Sequence, residues 1–195
     1  MLYLQRWRIV TVASMGILIA LIAIAIIYGY SEVALRIAIR LTARSSAILF
    51  VLAFVANPLR QFFSNSVTRW LRTNRRYLGL SMAVSQGFHA LAIVGLAVLA
   101  SDPHYYSNHG GNLGYLFIVL MAATSFRRTA KAIGDRWWYI LHTVGMYYLW
   151  LAFTVTFADR LSESIVLYLP IVSLLVASLL IRFVALYRNR FATPK

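Results

Sequence analysis

The chain has 195 residues, 61% of them hydrophobic and only 12% charged, with a mean hydropathy of +0.73. Soluble domains carry about 25% charged residues, so this balance excludes an ordinary water-soluble domain and indicates a membrane protein. It contains no Cys, which excludes disulfides, iron–sulfur clusters and thiol catalysis. Its net charge of +14 is gathered between apolar runs, where it sets topology and attracts anionic lipid, and nucleic acid is not expected as a partner.

Six apolar runs follow one another along the chain: 9–30, 41–63, 78–100, 112–126, 137–157 and 164–187. Arg6 and Arg8 precede the first as in a signal peptide. That run has the length of a bilayer span, however, and no small-residue cleavage site follows, so it reads as a retained helix. Asn57-Pro58 marks an end or a kink of the second helix, because proline disfavours a helical residue before it. Segment 59–77 mixes Phe62, Phe63, Trp70 and Leu71 with five arginines and is expected to lie along the membrane surface as an amphipathic stretch. The fourth run is short. Trp137, Trp138 and Tyr139 open the fifth as an interfacial aromatic belt.

No linker or repeat divides the chain, so residues 1–195 are expected to form a single domain. The fold class expected is all-α, an integral membrane bundle of about six transmembrane helices. Fifteen of the 19 Lys and Arg fall at the amino terminus, in the second and fourth loops and at the carboxyl end. The positive-inside rule then places both termini in the cytoplasm and loop 101–111 outside, as a multi-pass protein of the cell inner membrane. Arg36, Arg40, Arg44 and Arg160 remain on the outer side.

All five acids (Glu32, Asp102, Asp135, Asp159 and Glu163) sit at span ends, which argues against an ion-coupled transporter with a carboxylate at mid-membrane. Neither a nucleophile–base pair nor a metal-protease motif is visible. Gly110, Gly111 and Gly114 follow no strand and read as a turn rather than a phosphate loop. His104 and His109, near Asp102 and Tyr105, read as solvated loop residues or a surface metal site.

His89 and His142 are the only ionisable side chains deep inside apolar runs. A titratable group in hydrocarbon is costly and points to function, and neutral imidazole is a common ligand of iron. Two readings are open: imidazoles satisfied by backbone carbonyls in a helix–helix contact, or ligands of a b-type haem, one per chain, between bundle helices. Met146, one turn beyond His142, is either a core filler or an alternative thioether ligand. Arg36, Arg40 and Arg44 recur at i, i+4 and i+8 on one helix face. They either snorkel to head groups or fork onto carboxylates such as haem propionates. His89 lies 13 residues from both Arg76 and Asp102, whereas His142 lies 6 from Arg136 and 17 from Asp159. In upright helices their depths differ by about 10 Å.

Asn57-Pro58-Leu59-Arg60, then Arg75-Arg76-Tyr77-Leu78-Gly79-Leu80 and His89, resemble the second and third helices of the ferric-reductase-like transmembrane family. Thr124-Ser125 and Trp138-Tyr139-Ile140-Leu141-His142 resemble its fourth and fifth. That superfamily includes NADPH oxidases and the haem-binding membrane subunit of periplasmic methionine sulfoxide reductase, and the resemblance covers roughly 41–157. It implies His89 and His142 as haem ligands in an electron-transfer subunit. The chain departs from the family at Val155, flanked by Thr154 and Thr156, and at Arg75, where family members carry further histidines. No dinucleotide-binding glycine fingerprint occurs, so the resemblance implies a separate donor, a flavin reductase or a quinol, and an extracytoplasmic acceptor. Whether the chain is itself an oxidoreductase stays open. The alternative is a non-redox scaffold of the same architecture that has lost its haem.

Overall fold

The computed structural model describes residues 4–100 and 109–191, which form six α-helices and one short 3-10 turn with no strand among the described residues. In chain order these are α1 (Trp7–Tyr28), α2 (Glu32–Phe62), α3 (Ser66–Ala100), α4 (His109–Ala123), α5 (Arg127–Asp159), the turn Arg160–Ser162, and α6 (Ile165–Phe191). Five of them are long and apolar enough to cross a membrane. The exception is α4, whose 15 residues reach about 22 Å, short of the roughly 30 Å hydrocarbon core. Loop residues 101–108, including Asp102, His104 and Tyr105, lie outside the described residues.

Large apolar side chains cover the outside of the bundle, among them Ile19, Ile22 and Ile26 on α1 and Leu180 and Val184 on α6. Such a surface is unfavourable against water and unremarkable against lipid tails, as in a multi-pass membrane protein with lipid around it.

The most extensive helix pair is α2 with α3. Its facing positions are small or hydroxylated: Ala38, Thr42, Ser46, Ala53 and Ala56 are buried on α2, and Ser81 and Ser85 on α3. Small residues let two backbones approach and let hydroxyls bond across the gap. The Ser85 hydroxyl donates to the Thr42 carbonyl (3.1 Å) and lies 2.8 Å from the Ser45 hydroxyl. On its other side α2 meets α5 and α6 through an aromatic core. There the ring of Phe50 lies 5.3 Å from Phe54 and 5.2 Å from Phe153, and Leu175 closes the cluster.

Two boundaries differ from those expected. Residues 66–77 do not form a separate surface segment but are the first third of α3, whose 35 residues extend about 52 Å. Thr68, Leu71, Asn74 and Leu78 recur at three- and four-residue spacing and are buried, so one packed stripe carries the helix through its arginines. The N-terminal chain crosses this stripe: the Trp70 indole donates to the Leu4 carbonyl (2.6 Å), and the Arg6 N–H donates to Asn74 Oδ1 (2.8 Å). Helix α5 likewise starts ten residues before Trp137, with a break at Gly134, whose φ of 76° and ψ of 157° suit only glycine.

Candidate cofactor cavity

A cavity of about 420 Å³ opens among α2, α3, α4 and α5, with Arg160 and Tyr168 at its edge. That volume lies in the range of small-molecule sites, roughly 300–1,000 Å³. Helix α3 contributes Gln86 and His89, one turn apart on the same face. The four-residue spacing of Arg36, Arg40 and Arg44 lines all three up on the cavity side of α2. Ile93, Leu96, Ile118 and Phe153 supply apolar wall.

His89 is held by one ring nitrogen. Its Nδ1 lies 3.1 Å from the Ile39 carbonyl and 3.0 Å from Thr42 Oγ1. A carbonyl only accepts, so Nδ1 carries the proton and donates it. The Thr42 hydroxyl spends its own hydrogen on the Ala38 carbonyl (2.7 Å), which leaves its lone pairs to accept from His89. Nε2 is therefore the unprotonated nitrogen, and it has no hydrogen-bond partner among the described residues. An imidazole whose N–H is tied to a backbone carbonyl, with its other nitrogen free, is the usual arrangement of a metal-ligating histidine.

The cavity's charge is positive. Arg36 is paired with Glu32 (2.6 Å) and Arg160 with Glu163 (3.5 Å), while no carboxylate pairs with Arg40 or Arg44 among the described residues. Arg44 stacks over the Tyr168 ring at 5.3 Å. Arg44 and Tyr115 both line the cavity, and Arg44 Nε and the Tyr115 hydroxyl oxygen are buried with no hydrogen-bond partner among the described residues.

His142 is elsewhere. Its Nε2 lies 3.1 Å from Thr124 Oγ1, near the end of α4. The Thr124 hydroxyl donates to the Leu120 carbonyl (2.7 Å), so it accepts from the imidazole. The Trp138 ring stacks on His142 at 4.2 Å, and its indole donates to the Thr124 carbonyl (3.0 Å). The cavity touches α4 at Gly110–Ile118 and α5 from Leu149 onward. His142 lies seven residues before Leu149 on α5, about 10 Å along the axis. His89 lines the cavity and His142 does not.

Met146 is buried in the aromatic core and does not line the cavity. Val155 is half-exposed on the outer face of α5, while Thr156 beside it reaches the cavity. Arg75 points toward the opposite end of the bundle, against the Ala53 carbonyl. Among the described residues no group of three or more His, Cys, Asp or Glu could hold a bare metal ion. Gln86, Tyr115 and Tyr168 line the cavity, and Thr42 holds His89, without having been singled out in the sequence; Arg160 joins the other three outer-side arginines there, and only the i±3 relation of Gln86 to His89 gave a further signal. No protein family, curated protein or solved structure matches this chain.

Proposed function

We propose that the chain is the membrane subunit of an electron-transfer system and holds one b-type haem in this cavity, with His89 as its protein ligand. The observation that carries this reading is that His89, with its tautomer fixed by Ile39 and Thr42 and its Nε2 left without a partner among the described residues, lines a cavity ringed by guanidinium groups. The residues fit the group. Haem is flat, apolar across its ring and doubly anionic at one edge. The cavity is lined by an imidazole, by apolar side chains and by Arg40 and Arg44, with which no carboxylate pairs among the described residues. Bound haem supplies one-electron chemistry.

The protein's own residues have definite tasks in this account. His89 offers its lone pair, and Ile39 and Thr42 hold the ring's orientation and raise its basicity. Arg40 and Arg44 bind carboxylates and fix which edge of the ring points outward. Phe153 and Leu96 exclude water. No second imidazole or thioether lines the cavity among its described walls, so the reading is of a single protein ligand. The account extends to orientation: the cavity end, poor in basic residues overall, faces outward, and the basic end meets the donor, a flavin reductase or quinol. The acceptor is then extracytoplasmic.

The test is the dithionite-reduced spectrum of the purified full chain, expressed with ample haem. A b-type Soret and alpha band at about one haem per chain is expected. Their absence would overturn the reading and favour a second one, a non-redox scaffold that has lost its cofactor. The outward-facing Val155, where the resembling family carries a histidine, favours that second reading.

A further inference from the structure

At the other end of the bundle a smaller cavity of about 110 Å³ lies between the end of α2, the early part of α3 and the last turns of α6. Its described walls are Asn57, Pro58, Gln61, Arg75, Arg182, Ala185, Leu186 and Asn189, with two guanidinium groups, three amides and no acid among them. The two ion pairs among the described residues, Glu32 with Arg36 and Glu163 with Arg160, both sit at the cofactor end.

The arginines are positioned by α2 itself. Pro58 has no N–H, so the carbonyl of Phe54 four residues earlier lacks its helical partner. Arg182 fills that gap: its Nη1 donates to the Phe54 carbonyl (3.4 Å) and its Nε to the Tyr147 hydroxyl (3.1 Å). Its guanidinium also stacks over the rings of Phe54 (4.4 Å) and Tyr147 (4.9 Å). One turn from Pro58, the Ala53 carbonyl accepts from Arg75 Nε (3.2 Å). Two half-buried cations are thus fixed on one small cavity, where they repel each other. A counter-charge stabilises such a pair, and no acid lines the cavity among the described residues.

We propose that this cavity is a binding site for a phosphate group, held between Arg75 and Arg182 with Asn57, Gln61 and Asn189 donating to its remaining oxygens. Arginine forks match phosphate oxygens in pairs, and the space suits one tetrahedral group rather than a whole lipid. The site lies at the end of the bundle where most Lys and Arg collect, and basic pockets between helices on that side take anionic head groups. The phosphate comes either from an anionic phospholipid or from solution.

The full chain, delipidated in detergent, distinguishes these sources. Its thermal unfolding is measured with phosphatidylglycerol, with phosphatidylcholine and with inorganic phosphate, and native mass spectrometry counts retained lipid. One tightly held phosphatidylglycerol and a rise in Tm of several degrees, larger than with phosphatidylcholine, identify a lipid head group. A matching rise with inorganic phosphate alone identifies a free anion, and also supports the site. Arg182→Gln should weaken either effect at least tenfold, but it also removes packing. Asn189→Asp keeps the packing and places a carboxylate beside the two cations. It should raise Tm without ligand and abolish the ligand-induced rise. No Tm rise with either ligand in the wild type, or an undiminished rise in Asn189→Asp, would overturn the proposal.

Discussion

His89 and His142 are each a lone imidazole in a membrane-length apolar run, His142 the nearer to one end of its run. The fold gives them opposite environments. His89 donates through Nδ1 to backbone, keeps its other nitrogen without a partner among the described residues, and lines a cavity ringed by arginines. His142 hydrogen-bonds Thr124 and lies under Trp138, away from that cavity. On the proposed reading, what separates a ligand-type histidine from a packing histidine is the surroundings of the nitrogen left over once the ring is anchored. Apolar context alone does not distinguish them.

The comparison can be sharpened through the threonine beneath each ring. Thr42→Val keeps the shape of a fully buried side chain and removes the hydroxyl that shares the His89 proton. Haem affinity should fall about 10–100-fold, the usual effect of losing an outer partner of a ligating histidine, as read by haem titration of the apoprotein. Unchanged affinity would mean that the Ile39 carbonyl orients the ring unaided. Thr124→Val makes the corresponding change under His142. It should lower stability by about 1 kcal/mol, seen in thermal or denaturant unfolding, and leave haem content alone. Loss of haem there would return His142 to the site.

Smaller effects belong to the arginines. Arg44 is half-buried on the cavity wall, whereas Arg40 is exposed. Haem retention should therefore suffer more from Arg44→Gln than from Arg40→Gln, whose effect should be about 1 kcal/mol or less and fade with added salt. Equal, salt-independent losses would count against carboxylate binding at this edge. The orientation is tested without touching the site. Ser162→Cys, in a chain with no native cysteine, should react with an impermeant maleimide from outside intact cells. Labelling only after permeabilisation would reverse the assigned direction of electron flow.

Six helices and their order were legible because apolar runs of bilayer length are a strong signal. Their ends were not. Hydropathy stops at the first arginines, but α2 begins at Glu32, capped by the Ser31 hydroxyl, and α3 begins at Ser66 on a buried stripe hidden among charges. Proline at 58 was expected to end or kink α2; the helix continues to Phe62, with Arg182 replacing the missing donor. The spacing of Arg36, Arg40 and Arg44 foretold a shared face, and His89 stood out by its burial in apolar sequence. The haem reading joined those arginines to His89 by chemistry alone; that they line one cavity depends on how α2 crosses α3. Thr42 and Tyr115 were invisible for the same reason. A hydroxyl in an apolar run has no local sign that distinguishes a bond within its own helix from one that orients a ligand.

The central claim is that one histidine, and not the pair, holds the cofactor. Haem content per chain, measured side by side for the wild type, His89→Ala and His142→Ala in the same expression and purification, tests it most directly. The account predicts about one haem in the wild type, near-complete loss in His89→Ala, and a content close to wild type in His142→Ala. Equal loss in both variants, or loss in His142→Ala alone, would contradict it.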